Sequence, residues 1–566
     1  MNKSEPNQVD IDSIIAIFSK GQFQKALEKA LELAKSFPQN AILHNITGAC
    51  YIQLGKFNSA VSSFNEALAI NPDYAKAHYN LGGAYHELSM YKESIFSYRN
   101  SIFFDSAYPE AHNNLGNVYK DNGELNDAIL SYENAINLNP NYVEAHYSLA
   151  KIYQDRGQFE LIIEHMVKVI SLRPDLAEAH NIIGLGFYEL GQLKEALLAF
   201  QKAVELNTAY SEAYNNQGNT FTALGKTKEA VKSYQNALKI NPDFPALHNN
   251  LGNAFKELGK LEEAVKSFSQ GLQYNPDNIE SLNNLGVTLF EFGDLENSIQ
   301  TLKKALALEP NYEDTYLNLS EIFIKNKQNN EAIKCLISVI KINPNNVDFY
   351  NNLGGLYHAE NLLEEALLTF QNAIKINPNV ARVYNNLGNT FKDLGLFDDA
   401  FENYEKAISL NAETAEFFNN FGSLLSENLA RHYEAIAYFK KAIGVDPYFF
   451  PAHLNLAHTF FTLQKYVEAI EAYKATMVLA PNLGNILGNL LNAKMSCSNW
   501  DDLNTLLNLK SIKFRSINDE IVFNPFTLLG LIDDPALQKK TTEININAFH
   551  PKNNDLPLTG LYSKHS

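Results

Sequence analysis

One side-chain amide recurs at a single register along most of the chain: Asn80, Asn114, Asn216, Asn250, Asn284, Asn318, Asn352, Asn386, Asn420, Asn455 and Asn489. Successive members lie 34 residues apart or a multiple of 34, with Ser148 and Ile182 in the two vacancies and one step of 35 before Asn455. A primary amide offers two donors and one acceptor oxygen. That is the complement of the backbone N–H and C=O of an extended polypeptide, whatever side chains it carries. Asparagine costs a helix about half a kcal/mol relative to alanine, so propensity does not account for the series. One such amide per repeat on an inner face would make a sequence-tolerant peptide groove. The alternative is that duplication copied a surface residue, with Asn215, Asn249, Asn283 and Asn351 beside it as solvated polar surface.

Other chemistry is thinly supported. No GxxxxGK[ST] stretch and no strand-borne GxGxxG is present, and Gly484 and Gly488 fall in a helical context. The 14 histidines are scattered. His78, His112, His146, His180 and His248 keep the repeat phase, which makes them repeat surface rather than ligands. Asp533 and Asp534 are adjacent, so they cannot flank a common bond. The three cysteines, Cys50, Cys335 and Cys497, have no CxxC spacing and read as free thiols of a reducing compartment. Sequons at Asn45–Thr47 and Asn318–Ser320 mean little without secretion. No catalytic, cofactor-binding or metal-ligating residue is expected, and no cofactor.

The elements that position the amides follow from the same period. Glycine marks the phase at Gly48, Gly82, Gly116, Gly184, Gly218, Gly252, Gly286, Gly354, Gly388 and Gly422, and 422 − 48 = 374 is 11 × 34. An extra residue enters near Leu429–Arg431, and Ala457 resumes the phase. Small, bulky and small residues follow at i, i+4 and i+7 (Ala60, Phe64, Ala67 and their equivalents), the apolar stripe of a helix. A second glycine series, from Gly55 to Gly395, suits left-handed helix C-caps, and a proline series, from Pro38 to Pro481, ends each second helix. These residues resemble the tetratricopeptide repeat over roughly Ile11–Pro481. The resemblance implies an all-α, right-handed superhelical solenoid of about fourteen helix-turn-helix units, with the first helix of each unit on the concave face. Stability is then a sum over neighbouring interfaces. The unit Val143–Pro174, with Ser148, Ile162 and Val169 at signature positions, is expected to pack more loosely.

Composition fits this reading. Basic residues number 46 against 64 acidic, giving −18, with 45% hydrophobic residues, which disfavours a nucleic-acid binder. No apolar run is long enough to span a membrane, and a polar, acidic N-terminus lacks a secretory pattern. A cytoplasmic protein is expected. The organisation reads as a polar tail over 1–10, the repeats over 11–481, a helical cap or connector over 482–550 and a linker-like tail over 551–566. The repeat array with its asparagines is similar to the N-terminal superhelix of the protein O-linked N-acetylglucosamine transferases. The stretches Asn489–Thr505, containing Trp500, and Asn524–Lys540 look like the connector that precedes the catalytic lobes in bacterial members. The resemblance implies that the eleven asparagines hold substrate polypeptide and that this chain recruits substrate for such an enzyme. Too few residues follow Pro481 for two nucleotide-sugar lobes. The catalytic lobes would then belong to a separate glycosyltransferase partner or a missing domain. A transferase lacking its catalytic domain and a purely structural assembly scaffold are the other readings.

Overall fold

The computed structural model describes residues 6–481, 486–499 and the single positions 483, 501 and 539. Trp500, the stretch 524–538 and the tail 551–566 lie outside them. Every regular element among the described residues is helical, with 29 α-helices and one π-helical turn. The chain divides into two compact units at Leu308 and Glu309. The first unit carries nine antiparallel pairs, from Gln8–Ser19 with Phe23–Ser36 to Ile279–Phe292 with Leu295–Leu308. The second carries five, from Glu313–Lys325 with Asn329–Ile342 to Phe450–Thr462 with Tyr466–Leu479, followed by a single helix Ile486–Ser496. The expected all-α solenoid of tandem helix-turn-helix repeats is what each unit shows.

Within most pairs, the phase glycine of the first helix lies against a ring 16 residues later in the second; at Gly286 the covering side chain is Leu302. A Cβ on Gly48 would come within 2.5 Å of the Phe64 ring, and one on Gly252 within 2.6 Å of Phe268. Phe64, Phe200, Phe268, Phe370 and Phe439 are fully buried, as are the flanking alanines such as Ala60 and Ala67. The glycine is therefore needed by the ring that covers it. Where the register carries a Cβ, the cover shrinks: Ala150 faces the Met166 register and Ser320 the Leu336 register, while Ala457 keeps Tyr473. This explains why the unit Val143–Pro174 is not loose. Ile162, Met166 and Val169 are all at 0% exposure in one continuous core with Tyr132 and Ile182.

The turns follow backbone sterics. Gly225 and Gly259 stand at φ of 68° and 70°, the left-handed region that closes the first helix. Ser89, Lys327, Asn361 and Gln464 hold the same conformation with side chains. The prolines act one residue beyond the helix rather than at its end. The cap Asn71, for example, is extended at φ −130° and ψ 93°, as a residue preceding proline prefers. Two boundaries differ from expectation. The first helix begins at Gln8, inside the stretch read as polar tail, because the Asn7 side chain accepts from Val9 N–H. The extra residue of the 35-residue repeat is absorbed upstream of Leu429, as a π turn at Leu424–Asn428 closed by Leu429 N–H to Leu424 C=O at 3.2 Å.

The repeat histidines are tethers. His78, His180, His248 and His453 each set Nε2 on the carbonyl of the proline six residues earlier, at 2.8, 3.1, 2.9 and 3.1 Å. His146 does the same with Pro140 at 3.2 Å, which makes its Nε2 the donor and its Nδ1 an acceptor for His165 Nδ1 at 2.9 Å. Burial lowers both pKa values first, and His165 is lowered further by His146.

Two outcomes follow. Gly252→Ala should destabilise the protein by about 1–3 kcal/mol through overpacking, and Phe268→Met should recover part of that loss in the double variant. Additive losses in urea unfolding would contradict the ring–glycine account. Stability should also fall as pH drops below about 6.5, the unfolded histidine value. The unfolded chain then binds protons that the neutral His146–His165 pair refuses, so the pair's contribution is complete above that pH. The difference in denaturation midpoint between pH 7.5 and 5.5 should shrink in His165→Gln, and an unchanged difference would exclude the pair as its source.

Candidate functional site: an amide network on the first helices

In each unit, first helices of most consecutive repeats touch one another, and no comparable contact links consecutive second helices. The first helices therefore form the inner side of the local curvature. All eleven series asparagines sit on them or on the final helix Ile486–Ser496. Most are half-buried; Asn216 is buried and Asn352 exposed.

The series makes a network that the sequence reading did not anticipate. Seven of the rung amides donate Nδ2–H to the asparagine one register position earlier in the preceding repeat. Asn80 bonds Asn45 Oδ1 at 2.9 Å, Asn216 bonds Asn181 at 3.0 Å, Asn250 bonds Asn215 at 3.0 Å and Asn284 bonds Asn249 at 3.2 Å. In the second unit Asn386 bonds Asn351 at 3.0 Å, Asn420 bonds Asn385 at 3.1 Å and Asn455 bonds Asn419 at 3.0 Å. Asn114 donates to the Tyr79 hydroxyl at 2.8 Å, and Asn489 to His458 Nε2 at 3.2 Å. Asn215, Asn249 and Asn351, read as solvated surface, are thus acceptors, and Asn249 and Asn283 are only 7% and 8% exposed. Their phase was visible as the recurring Asn-Asn pair. What no local pattern gives is that the bond runs to the next repeat.

The acceptor asparagines also donate. Asn249 Nδ2 reaches Glu280 Oε1 at 2.9 Å and Asn181 Nδ2 reaches Glu212 Oε1 at 3.2 Å. These carboxylates stand one helical turn before the rungs Asn284 and Asn216, so one amide clamps two points on the following helix. At the two vacancies the clamp is incomplete. Asn113 Oδ1, on a side chain only 5% exposed, has no partner, since Ser148 stands where a rung amide would. Before Ile182, the Tyr147 hydroxyl is buried near the Glu178 carboxylate, and that burial, together with the carboxylate, raises its pKa.

Asn318, Asn351, Asn352 and Asn386 border an open cavity of about 610 Å³ in the second unit. Near the N-terminus of the first unit, Asn45 and Asn80 share a cavity of about 470 Å³ with Ile15, Phe18, Ile42 and Ile46. Among the described residues no three metal-ligating side chains converge, and the Cys50 thiol is pushed up to about 11 by burial. No described helix is long and apolar enough to cross a membrane.

Fold and face together define a tandem helix-turn-helix repeat protein of the binding-scaffold class. The TPR repeat model matches 48–89, 84–123, 116–157, 218–259, 252–293 and 354–395. Three tetratricopeptide repeat models match 289–353, 381–413, and 143–176, 177–210 and 415–449. Together they cover more than half of the chain, which belongs to the tetratricopeptide repeat family. Among solved structures, it is 30% identical to MamA over 29% of this chain and 95% of that one, with a TM-score of 0.28. YrrB, described as a TPR protein with an unusual peptide-binding site, is 21% identical over 32% and 95%, with a TM-score of 0.30. Yeast Tom70 is 17% identical over 89% and 98%, with a TM-score of 0.38. Comparison with curated proteins gives no match.

The clamp makes its own prediction. Asn249→Ala strands the Asn284 amide and the Glu280 carboxylate and should cost about 1–2 kcal/mol. Asn249→Asp keeps the acceptor but sets a second carboxylate against Glu280, so it should be the less stable of the two in urea. The reverse order would mean that the donor arm contributes nothing.

Proposed function

We propose that the chain is a protein–protein interaction scaffold that binds extended polypeptide along its first-helix face, with the series asparagines holding the client backbone. The observation that carries this reading is the way a rung spends its amide. In rungs such as Asn80 and Asn284 one N–H goes to the preceding repeat and fixes the rotamer, which leaves an N–H and the carbonyl oxygen on a side chain whose orientation is already decided. Asn250 spends further donor capacity on Asn219, and the Asn386 oxygen accepts from Asn385, so these two keep less valence for a client. Backbone recognition gains from such preorganisation, since little rotamer entropy remains to be lost on binding. Because the pattern repeats, a client can be held at several points with modest affinity at each.

The finer assignment, recruitment of substrate for O-linked N-acetylglucosamine transfer, is supported by the sequence resemblance of the series and of the stretches 489–505 and 524–540. Polypeptides captured by the chain from its native source should then be enriched in serine and threonine carrying N-acetylhexosamine, read by mass spectrometry against captures by the rung variant below. Equal levels would remove the transferase assignment and leave peptide binding standing.

The binding reading is tested with fluorescently labelled 15-residue peptides of unrelated sequence. Asn80→Ala, Asn250→Ala and Asn284→Ala combined should weaken binding roughly tenfold with unchanged far-UV circular dichroism. Asn249→Ala, which frees the Asn284 rotamer but keeps all three rung amides, should weaken binding less than the triple variant does. Unaltered affinity in the triple variant would refute the groove.

A further inference from the structure

We propose that the stretch of first helices from Pro109–Asp121 through Val143–Asp155 and Ala177–Glu189 to Ser211–Ala223 selects a lysine- or arginine-bearing segment of the client. This rests on the polypeptide-binding reading and gives that site its charge preference.

Glu110, Glu144, Glu178 and Glu212 stand 34 residues apart, each in the first turn of its helix and one turn before the rung register. They lie on the face of the network, since Glu212 accepts from Asn181 across the repeat junction. Glu178 is paired with Lys151 at 3.0 Å. Among the described residues no lysine or arginine forms an ion pair with Glu110, Glu144 or Glu212, and all three are exposed. The unbroken run is confined to these four repeats. Earlier in the first unit the same register reads Ile42 and Lys76, and after Glu212 it reads Ala246 and then Glu280, which accepts from Asn249. In the second unit it reads Asp314, Asp348, Arg382 and Glu416, with Arg382 ion-paired to Asp348.

Tyrosines flank the carboxylates. Tyr108, Tyr142 and Tyr210 occupy the N-cap positions of three of these helices. Burial first, then Glu144 and Glu110, push Tyr142 up to about 12, so these carboxylates act on a common ring. Aromatic faces and carboxylates together favour an ammonium or guanidinium.

The unfilled acceptor sits in the same run. Asn385 and Asn113 share one arrangement, each setting Nδ2 on the neighbouring rung oxygen, at 3.4 and 3.3 Å. Asn385 Oδ1 then receives Asn420 across the junction. At the register of Asn420 the repeat after Asn113 carries Ser148, which is shorter than the asparagine it replaces and stands one turn after Glu144. The break in the series thus leaves a carbonyl oxygen without its donor beside an unpaired carboxylate. A client cation supplies the missing charge at the carboxylates, and it supplies the missing donor where the side chains covering the Asn113 oxygen turn aside on binding. A bare metal ion is disfavoured, since no three ligands converge among the described residues.

The test uses the full chain and three labelled 15-residue peptides in which serine alternates with lysine, glutamine or glutamate. The lysine peptide should bind roughly tenfold tighter than the glutamine one, and the glutamate peptide weakest. Glu110→Gln, Glu144→Gln and Glu212→Gln combined should bring lysine and glutamine peptides within about twofold. Glu195→Gln, Glu229→Gln and Glu262→Gln, on second helices and with the same change in net charge, should keep the preference. Ser148→Asn, which restores the rung, should weaken the lysine peptide severalfold while raising thermal stability. Equal binding of lysine and glutamine peptides by the native chain overturns the charge preference and leaves the polypeptide reading intact. An equal loss in the second-helix variant overturns it as well, since bulk charge would then suffice. If no peptide binds, the polypeptide reading fails and the preference falls with it.

Discussion

The contact on which the molecule depends is an aromatic ring lying on a glycine. In most repeats the second helix presents a ring to a first helix with no side chain at that point, so the backbones approach to ring thickness. An added Cβ would overlap ring atoms by most of an ångström, as at Gly48 and Phe64 or Gly354 and Phe370. This fixes the spacing inside each pair. Because the glycine phase is held at 34 residues over most of the array, the pairs are near copies. Equivalent residues in successive copies then fall at equivalent places, and a side chain can be paired with one in the next repeat. The cross-repeat amides are possible only because the glycine contact is uniform. Interiors are packed too densely to absorb a varying offset at every junction.

The amide network acts between repeats where the ring acts within them. A solenoid's stability is a sum of repeat and junction terms, and each rung adds a polar junction term of about 1 kcal/mol. Such bonds are also directional. Apolar interfaces made of alanine and ring edges tolerate small slips, whereas an amide that must meet both Asn249 and Glu280 does not. The network thus fixes junction geometry beyond what burial alone would set. Junctions that lack it are held by other means. Beside Ser148 and Ile182, the apolar side chains Leu149, Ile152, Ile162, Met166 and Ile183 are packed into one core, and the His146–His165 pair crosses between the two helices of that repeat.

The fold was readable because its signals are local and repeated. A glycine, two alanines, a ring and a proline recur in phase, and each has a steric reason that needs no knowledge of the neighbouring repeat. The site was readable only in part. The asparagine series announced itself, but its partners did not, since Asn249 and Asn283 carry the same residue type as a solvated surface would. Deciding between the two requires knowing that residues 35 apart meet, which is a property of stacked repeats and not of one helix. The acidic register was hidden for a similar reason. Glutamate in a first turn is what any helix N-terminus favours, so Glu110 or Glu144 taken singly carries no message. The extra residue of the 35-residue repeat was misplaced because periodicity counts residues and not hydrogen bonds. A π turn can take up the insertion several residues before the phase visibly shifts.

The network also changes what the asparagine series means. Read as sequence, it posed a choice between a peptide groove and a copied surface residue. The cross-repeat bonds supply a third cause, since a rung that ties repeat to repeat would persist without any client. Periodicity alone is therefore no evidence for binding. What bears on binding is the valence left over and the places where the pattern fails. A purely structural tie would be served best by an unbroken series, and its breaks would be expected where packing is poor. The breaks at Ser148 and Ile182 instead fall in the continuous core of the first unit, in the same run of helices as the unpaired first-turn carboxylates. An orphaned acceptor in a densely packed stretch is a cost with no compensation inside the fold. Under the proposed charge preference a client's donor would compensate it, which would tie the gap in the structural pattern to the client-facing surface.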